Sequence, residues 1–234
     1  RAPRQNRLLA RLPQQQRRRV LERCEPVDLV LAEMLQEPGA PIRYVLFPIG
    51  SFVSQLTPVD SHDRMEIGLV GDEGMVGATL VLGIARAPAV AMVQGAGPAL
   101  RMETRLFRQE LERSDELRGA LLRYVYVVMC QLAQTAVCTR FHVVEERLAR
   151  WLLMTSDRAR SNDFHITHEF LATMLGVRRA GVTRAAGSLQ ALGLIRYGRG
   201  DIAILDRRGL ERAACACYAT DRATYARVLG RNGR

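Results

Sequence analysis

The chain has 234 residues, room for two modest domains with their own cores, and its 48% apolar and 25% charged content excludes a disordered or fibrous protein. Its net charge is +10, carried by 34 arginines and no lysine against 24 acids. The excess is uneven: residues 141–234 hold 16 Arg and 9 Asp+Glu (+7), residues 1–140 hold 18 and 15 (+3), as a polyanion facing the C-terminal part requires.

In chain order, the opening RAPRQNRLLARLP has no apolar h-region, which predicts a cytoplasmic chain rather than a signal peptide. Residues 5–23 read as helix, with Leu8, Leu9, Leu12 and Val20 between arginines. From 27 to about 110 come short strands bounded by Gly, Pro and Asp: VDLVLAEML, IRYVLFPIGSFVSQLTPV, MEIGLVG, AVAMVQG and PALRMET. Such runs, with no regular alternation of strand and helix, predict a β sandwich or jelly roll. A long helix without proline then starts near Ser114, a hydroxyl N-cap followed by acids at 115 and 116. Along it Leu122, Val125, Met129, Leu132 and Ala136 recur at spacings of three and four, a coiled-coil seam for dimerisation. Leu121, Tyr124 and Val128 make a second apolar face, suited to covering the β domain. The helix is expected to break near Phe141-His142, and VVEERLARWLLM forms another amphipathic helix with Leu148, Trp151 and Leu152 inward. There is no uninterrupted apolar run of 18 residues, so no membrane span is expected.

The segment from Thr167 to Leu205 carries the functional signal. Counted from His168 as position one, Ala172 falls at five, Gly176 at nine and Val182 at fifteen. A small residue lets two helices cross closely, a glycine supplies the turn between them, and a branched residue anchors the second helix with Leu171 and Leu175. Arg178 and Arg179 open that second helix, where the helix dipole disfavours cations unless an anion meets them, and Arg184 shares their exposed face. Leu194-Ile195-Arg196-Tyr197, a Gly198-Arg199-Gly200 turn and alternating Ile202 and Ile204 read as a two-stranded wing. The five cysteines, at 24, 130, 138, 215 and 217, match no zinc or iron–sulfur spacing. Cys215-x-Cys217 lies in an alanine-rich helical stretch that would aim its thiols apart. Neither metal nor cofactor is expected.

A β domain, a long helix, an RLARWLL helix and a winged helix-turn-helix, in that order, resemble the cyclic-AMP receptor/Fnr (Crp/Fnr) family of bacterial transcription regulators. The resemblance implies an α+β fold with an N-terminal cyclic-nucleotide-binding-like jelly roll (residues 1–113), a dimerisation helix (114–141) and a C-terminal winged helix-turn-helix domain (142–234). It implies a non-enzymatic homodimer whose recognition helices bind a palindromic site on double-stranded DNA, with RNA polymerase as a further partner. The family's Arg-Glu-x-x-x-Arg falls on Arg179, Ala180 and Arg184: both arginines keep guanine as their natural target, while Ala180 offers an apolar contact in place of the acid. Thr183 joins these base-reading positions. Thr167, His168, Arg178, Gly181, Arg196 and Arg199 are placed on phosphate.

The effector positions depart from the family. Gly74-Met75-Val76-Gly77 stands where cyclic-nucleotide members resemble Gly-Glu-Leu-Gly, and the Arg-Ser pair falls near Ala87-Pro88, one residue from Arg86. Control by cyclic AMP is therefore not expected, and an effector is left unidentified. One alternative is an effector-independent dimer whose β domain binds a protein. Another is a cupin-like metal enzyme with a DNA-binding tail. That alternative and a haem sensor both depend on His62, the only histidine of the β region.

Overall fold

In a computed structural model describing residues 5–59 and 64–230, Pro13 divides the opening helical stretch. A 3-10 turn at Leu9–Arg11 precedes it and helix α1 (Gln14–Glu22) follows, because proline has no N–H to continue a hydrogen-bond ladder. His62 lies outside the described residues.

The expected strands form, with more breaks than the apolar runs showed. VDLVLAEML divides into β1 (Glu25–Leu29) and β2 (Met34–Gln36) around Ala32, which adopts φ +65°. The long IRYVLFPIGSFVSQLTPV run divides into β3 (Tyr44–Pro48) and β4 (Phe52–Pro58), since Ile49-Gly50-Ser51 turns the chain. Strands β5 (Arg64–Val70), β6 (Val90–Gly95) and β7 (Gly97–Glu103) complete two sheets, ordered β1-β7-β3 and β2-β6-β4-β5. Strand β7 pairs antiparallel with both neighbours, Leu29 opposite Gly97 and Val45 opposite Met102. Leu46, Val53, Val76, Val93 and Ala99 fill the space between the strands.

After β7 the chain turns into α2 (Thr104–Arg113), a helix the apolar pattern of PALRMET did not reveal. It buries Phe107, Leu111 and Glu110, whose carboxylate is paired with Arg19 at 2.7 Å. The long helix α3 (Asp115–Phe141) begins where expected, the Ser114 hydroxyl accepting from the Leu117 amide at 3.1 Å. Its Leu117, Leu121 and Tyr124 are buried with Phe47, Met75 and Phe107, and Val128 packs partly against the same core. The seam residues lie on its other side: Leu122, Met129, Leu132 and Ala136 are exposed and Val125 half-buried. By length and mean hydropathy α3 is long and apolar enough to cross a membrane, although no unbroken apolar run of that length exists in it. Its face from Leu117 to Val127 packs on the core that holds Phe47, Met75 and Phe107.

The chain divides into two compact units, residues 1–55, 69–129 and 225–234 forming one, and residues 56–68 and 130–224 the other. The division thus crosses α3 instead of falling at its ends. The C-terminal residues join the first unit, where Tyr225 donates to the Glu73 carbonyl at 2.7 Å. One buried polar residue there organises several segments: the Asn6 amide donates to the carbonyls of Pro48 and Gly74, and its oxygen accepts from Leu8 and Leu9.

The second unit contains α4 (Val144–Ala159), with Leu148, Trp151 and Leu152 buried as the spacing predicted. Trp151 Nε1 donates to Glu66 at 2.9 Å. After α4 come β8 (Asp163–His165), α5 (His168–Leu175), α6 (Arg179–Ala191), β9 (Ile195–Gly198), β10 (Asp201–Ile204), α7 (Arg207–Ala213) and α8 (Cys217–Leu229). The last two correct the expectation for Cys215-x-Cys217. The alanine-rich stretch is not one helix: it breaks at residues 214–216, so Cys215 lies in the connection and Cys217 opens α8. Both thiols consequently point inward, buried beside Cys138 of α3. A hydrogen bond with Cys215 and the charge of Arg150 lower the Cys138 thiol against the opposing effect of burial, and the same bond pushes Cys215 up.

Candidate nucleic-acid interface

Helix α5 starts at Thr167, whose Oγ1 accepts from the Phe170 amide at 3.1 Å, and ends at Gly176 in the left-handed conformation, φ +61°. The Gly176 amide closes the helix on Thr173 O, and the next amide, Val177, reaches back to Ala172 O. The left-handed φ is what calls for glycine; the nearby Met65 Sδ, 2.8 Å from where a Cβ would stand, is the end of a flexible side chain that can move aside. This turn sets the direction in which α6 leaves.

Helix α6 is two-sided. Val182, Ala185, Ala186 and Leu189 are buried, Val182 and Leu189 completely, and packing of α4 and α5 against them holds the helix. Arg178, Arg179, Ala180, Thr183 and Arg184 are all exposed and Gly181 is half-buried. The helix has no side-chain cap and no acid in its first turn. Two guanidinium groups therefore stand at a helix start where the backbone dipoles favour anions over cations, with no acid of the helix beside them.

His168 links α6 to the wing. Its ring stacks on Tyr197 with centroids 4.1 Å apart and planes within 10°, and its Nδ1 lies 3.0 Å from Thr183 Oγ1. Burial, followed by the Arg179 charge, lowers its pKa, so the ring is held neutral. Tyr197 is fixed in turn by its amide, which donates to Gln190 Oε1 at 2.8 Å. The Thr183 hydroxyl also bonds the Arg179 carbonyl at 3.1 Å. Thr183 thus spends its hydroxyl inside the protein, and the His168 ring acts chiefly in positioning α6 and β9. Neither Tyr197 nor Gln190 stood out in the sequence, because a tyrosine in a strand and a glutamine on a helix carry no motif.

The wing has three strands, ordered β8-β10-β9, where two were expected. The added strand β8 pairs Phe164 with Ile202, and His165 Nδ1 lies 2.8 Å from Asp201 Oδ1. Gly198 pairs with Asp201, so the turn is the two residues Arg199 and Gly200, with φ +53° and +88°. Both positive values give the primed turn that suits hairpin twist. Arg199 takes it without glycine's freedom and is displayed at the tip, while Arg196 is exposed on β9.

The proposed effector residues do not form a comparable surface. Met75 and Val76 are buried in the cores of the first unit. A Cβ on Gly74 would lie 2.2 Å from the Tyr124 hydroxyl, so the tyrosine occupies the space beside that glycine. Arg86 is exposed and donates to the Gly39 carbonyl at 2.6 Å, and Gly77 carries φ +90° against Val45 and Ile42.

A family model for the Crp-like helix-turn-helix domain matches residues 146–213. No curated protein sequence matches the chain. Among solved structures, FixK2 from Bradyrhizobium japonicum is 14% identical with a TM-score of 0.70, covering 82% of this chain and 98% of its own. The c-di-GMP-responsive global regulator CLP of Xanthomonas campestris is 16% identical, TM-score 0.68, with 82% and 99% covered. A transcriptional regulator of the CRP/FNR family from Thermus thermophilus is 21% identical, TM-score 0.66, with 81% and 98% covered. These matches join a recognisable DNA-binding domain to an architecture shared over four-fifths of the chain. Residues 146–213 are a Crp-like helix-turn-helix domain, and the chain has the fold of the Crp/Fnr family of transcription regulators.

Proposed function

We propose that two copies of this chain, joined along α3, bind a palindromic DNA site and regulate transcription from it. The observation that carries this reading is the two-sided α6: a completely buried Val182 face fixes the helix, and an uncapped start displays Arg178, Arg179 and Arg184. Arg179 and Arg184 take guanine edges, each able to offer two parallel N–H donors to O6 and N7. Ala180 leaves an apolar contact between them, and Thr183 presents its methyl, its hydroxyl being engaged. Arg178 and the Thr167 end of α5 meet phosphate, with Arg196 and Arg199 on the flanking backbone, while the Gly181 amide already donates to the Arg178 carbonyl at 2.8 Å and is taken from that set. His168 belongs with them as the residue that orients the surface.

Pairing through α3 is supported by its apolar residues without partners in the single chain, Met129 being 62% exposed and Leu122 43%. A regulator of this type would also contact RNA polymerase. Cyclic AMP is not its effector on this reading. Met75 is buried where the cyclic-nucleotide members carry an acid, and Ala87-Pro88 stands where they carry Arg-Ser, which speaks against a cyclic phosphate.

Sedimentation of the purified protein tests the pairing and its role together. The wild type should sediment as a dimer, and Met129→Arg, a charge placed in the seam, as a folded monomer that binds DNA at least about tenfold more weakly, each lost 1.4 kcal/mol being a factor of ten. A Met129→Arg protein still dimeric and still tight on DNA would remove α3 as the interface.

A further inference from the structure

The second unit gathers four potential metal ligands that are scattered in sequence. Cys138 lies near the end of α3, His142 at the break between α3 and α4, Cys215 in the α7–α8 connection, and Cys217 at the start of α8. Their three sulfurs and the imidazole nitrogen all lie within 4.8 Å of one another. Cys138 and Cys215 are 3.5 Å apart through sulfur, and Cys217 Sγ is 3.4 Å from His142 Nδ1.

Those two separations are close to opposite edges of a tetrahedron around one metal ion. Metal bonds of about 2.3 Å to sulfur and about 2.0 Å to nitrogen give edges of roughly 3.8 Å between sulfurs and roughly 3.5 Å from sulfur to nitrogen. The surroundings fit as well. Gln134 Nε2 donates to Cys217 Sγ at 2.9 Å, the kind of outer bond that orients a thiolate ligand. Arg150 is buried, held by Asp221 at 2.7 Å, and reaches the Cys138 sulfur, where it would offset the negative charge of three thiolates around a dication.

Simpler accounts explain less. Cysteines used as apolar filler are mixed with aliphatic side chains, whereas these three form a cluster of their own. A Cys138–Cys215 disulfide would leave the approach of Cys217 to His142 without a purpose. An iron–sulfur cluster puts several irons between its thiolates and needs them farther apart than the edges of one tetrahedron.

We propose that Cys138, His142, Cys215 and Cys217 bind one tetrahedral divalent metal ion of the zinc type. Zinc is the ion favoured by three thiolates and an imidazole. All four positions are filled by protein, so the site is structural and leaves no open position for a substrate. It ties the α3–α4 junction to the start of the C-terminal helix, which are 75 residues apart in sequence.

The test uses the full chain, purified and kept under reductant without oxygen. Wild-type protein, stripped with chelator and titrated with Co(II), should bind one ion per chain and show the intense visible bands of tetrahedral cobalt with a thiolate charge-transfer band. Zinc should displace the cobalt and raise the melting temperature. Cys217→Ser and His142→Ala should lose the tetrahedral spectrum, and Cys24→Ser and Cys130→Ser should keep it. Because ligand variants can unfold, Gln134→Leu provides a milder change, expected to weaken metal binding about 10- to 100-fold with helicity intact. Less than a tenth of an ion per chain in folded, reduced protein would overturn the site, as would an octahedral cobalt spectrum or a tetrahedral one unchanged in Cys217→Ser.

Discussion

Arg184→Ala separates base reading from general attraction to DNA. The guanidinium is exposed on α6, and the face that fixes the helix, Val182, Ala185, Ala186 and Leu189, is on the other side. Alanine is also the better helix former, so stability should move by less than about 0.5 kcal/mol. A bidentate contact to guanine discriminates by about 1–3 kcal/mol, and a palindrome engages the residue twice. The loss on the full site is then about 2–6 kcal/mol, roughly 30-fold to more than 10⁴-fold in Kd. Fluorescence anisotropy at fixed salt on three duplexes measures it: the intact palindrome, the same site with one half scrambled, and random DNA. The scrambled duplex should lose about half the free energy lost by the intact one, and random DNA little. The slope of log K against log salt should hardly change, because a base contact releases no counterion. Equal losses on all three duplexes, with a slope shallower by about 0.9 per copy, would make Arg184 a phosphate contact and refute its reading role.

Three further outcomes follow from the same geometry. Gly176→Val should destabilise the second unit by about 1–2 kcal/mol, from the left-handed φ of +61°; a denaturation midpoint equal to wild type would contradict this. Arg199→Gly should relieve the positive φ at the wing tip, leaving stability equal or up to about 1 kcal/mol higher, while weakening all DNA sequences alike and lowering the salt slope by about 0.9 per copy. A sequence-dependent loss would instead make Arg199 a base contact. The lowered pKa of His168 sets a pH dependence: the unfolded ring, near 6.5, takes up a proton before the folded one does. The His168 contribution to stability is thus intact above about pH 6.5, falls as pH drops through the lowered folded value, and levels off below it. Urea midpoints of wild type and His168→Gln at pH 7.5 and 5.5 should converge at the lower pH, and a gap that widens on acidification would show the opposite sign.

Where a pattern was local and repeated, the sequence carried it. The seam and buried faces of α3, the break after Phe141, the inward Leu148-Trp151-Leu152 stripe and the Gly176 turn all follow from spacing within one element. The strands were legible too, but turns such as Ile49-Gly50-Ser51 were hidden in apolar runs, and α2 was hidden behind a strand that passes directly into it. Features that depend on distant partners were not legible. Strand β8 exists because Asp163 to His165 meets β10 some forty residues later, and the His168–Tyr197 stack joins two motifs read separately. Most consequential is the Cys138, His142, Cys215 and Cys217 cluster: Cys138 and His142 are four residues apart, but Cys215 lies in a connection, and Cys217 at the helix start after it, that an alanine-rich composition disguised as one helix.

Base reading by paired α6 helices is decided by selecting bound duplexes from a random pool. An enriched palindrome is expected, with guanines at the positions facing Arg179 and Arg184 and half-site centres one helical turn apart, about 10–10.5 base pairs. A pool that stays random through successive rounds, or that yields one unrepeated half-site, would contradict it.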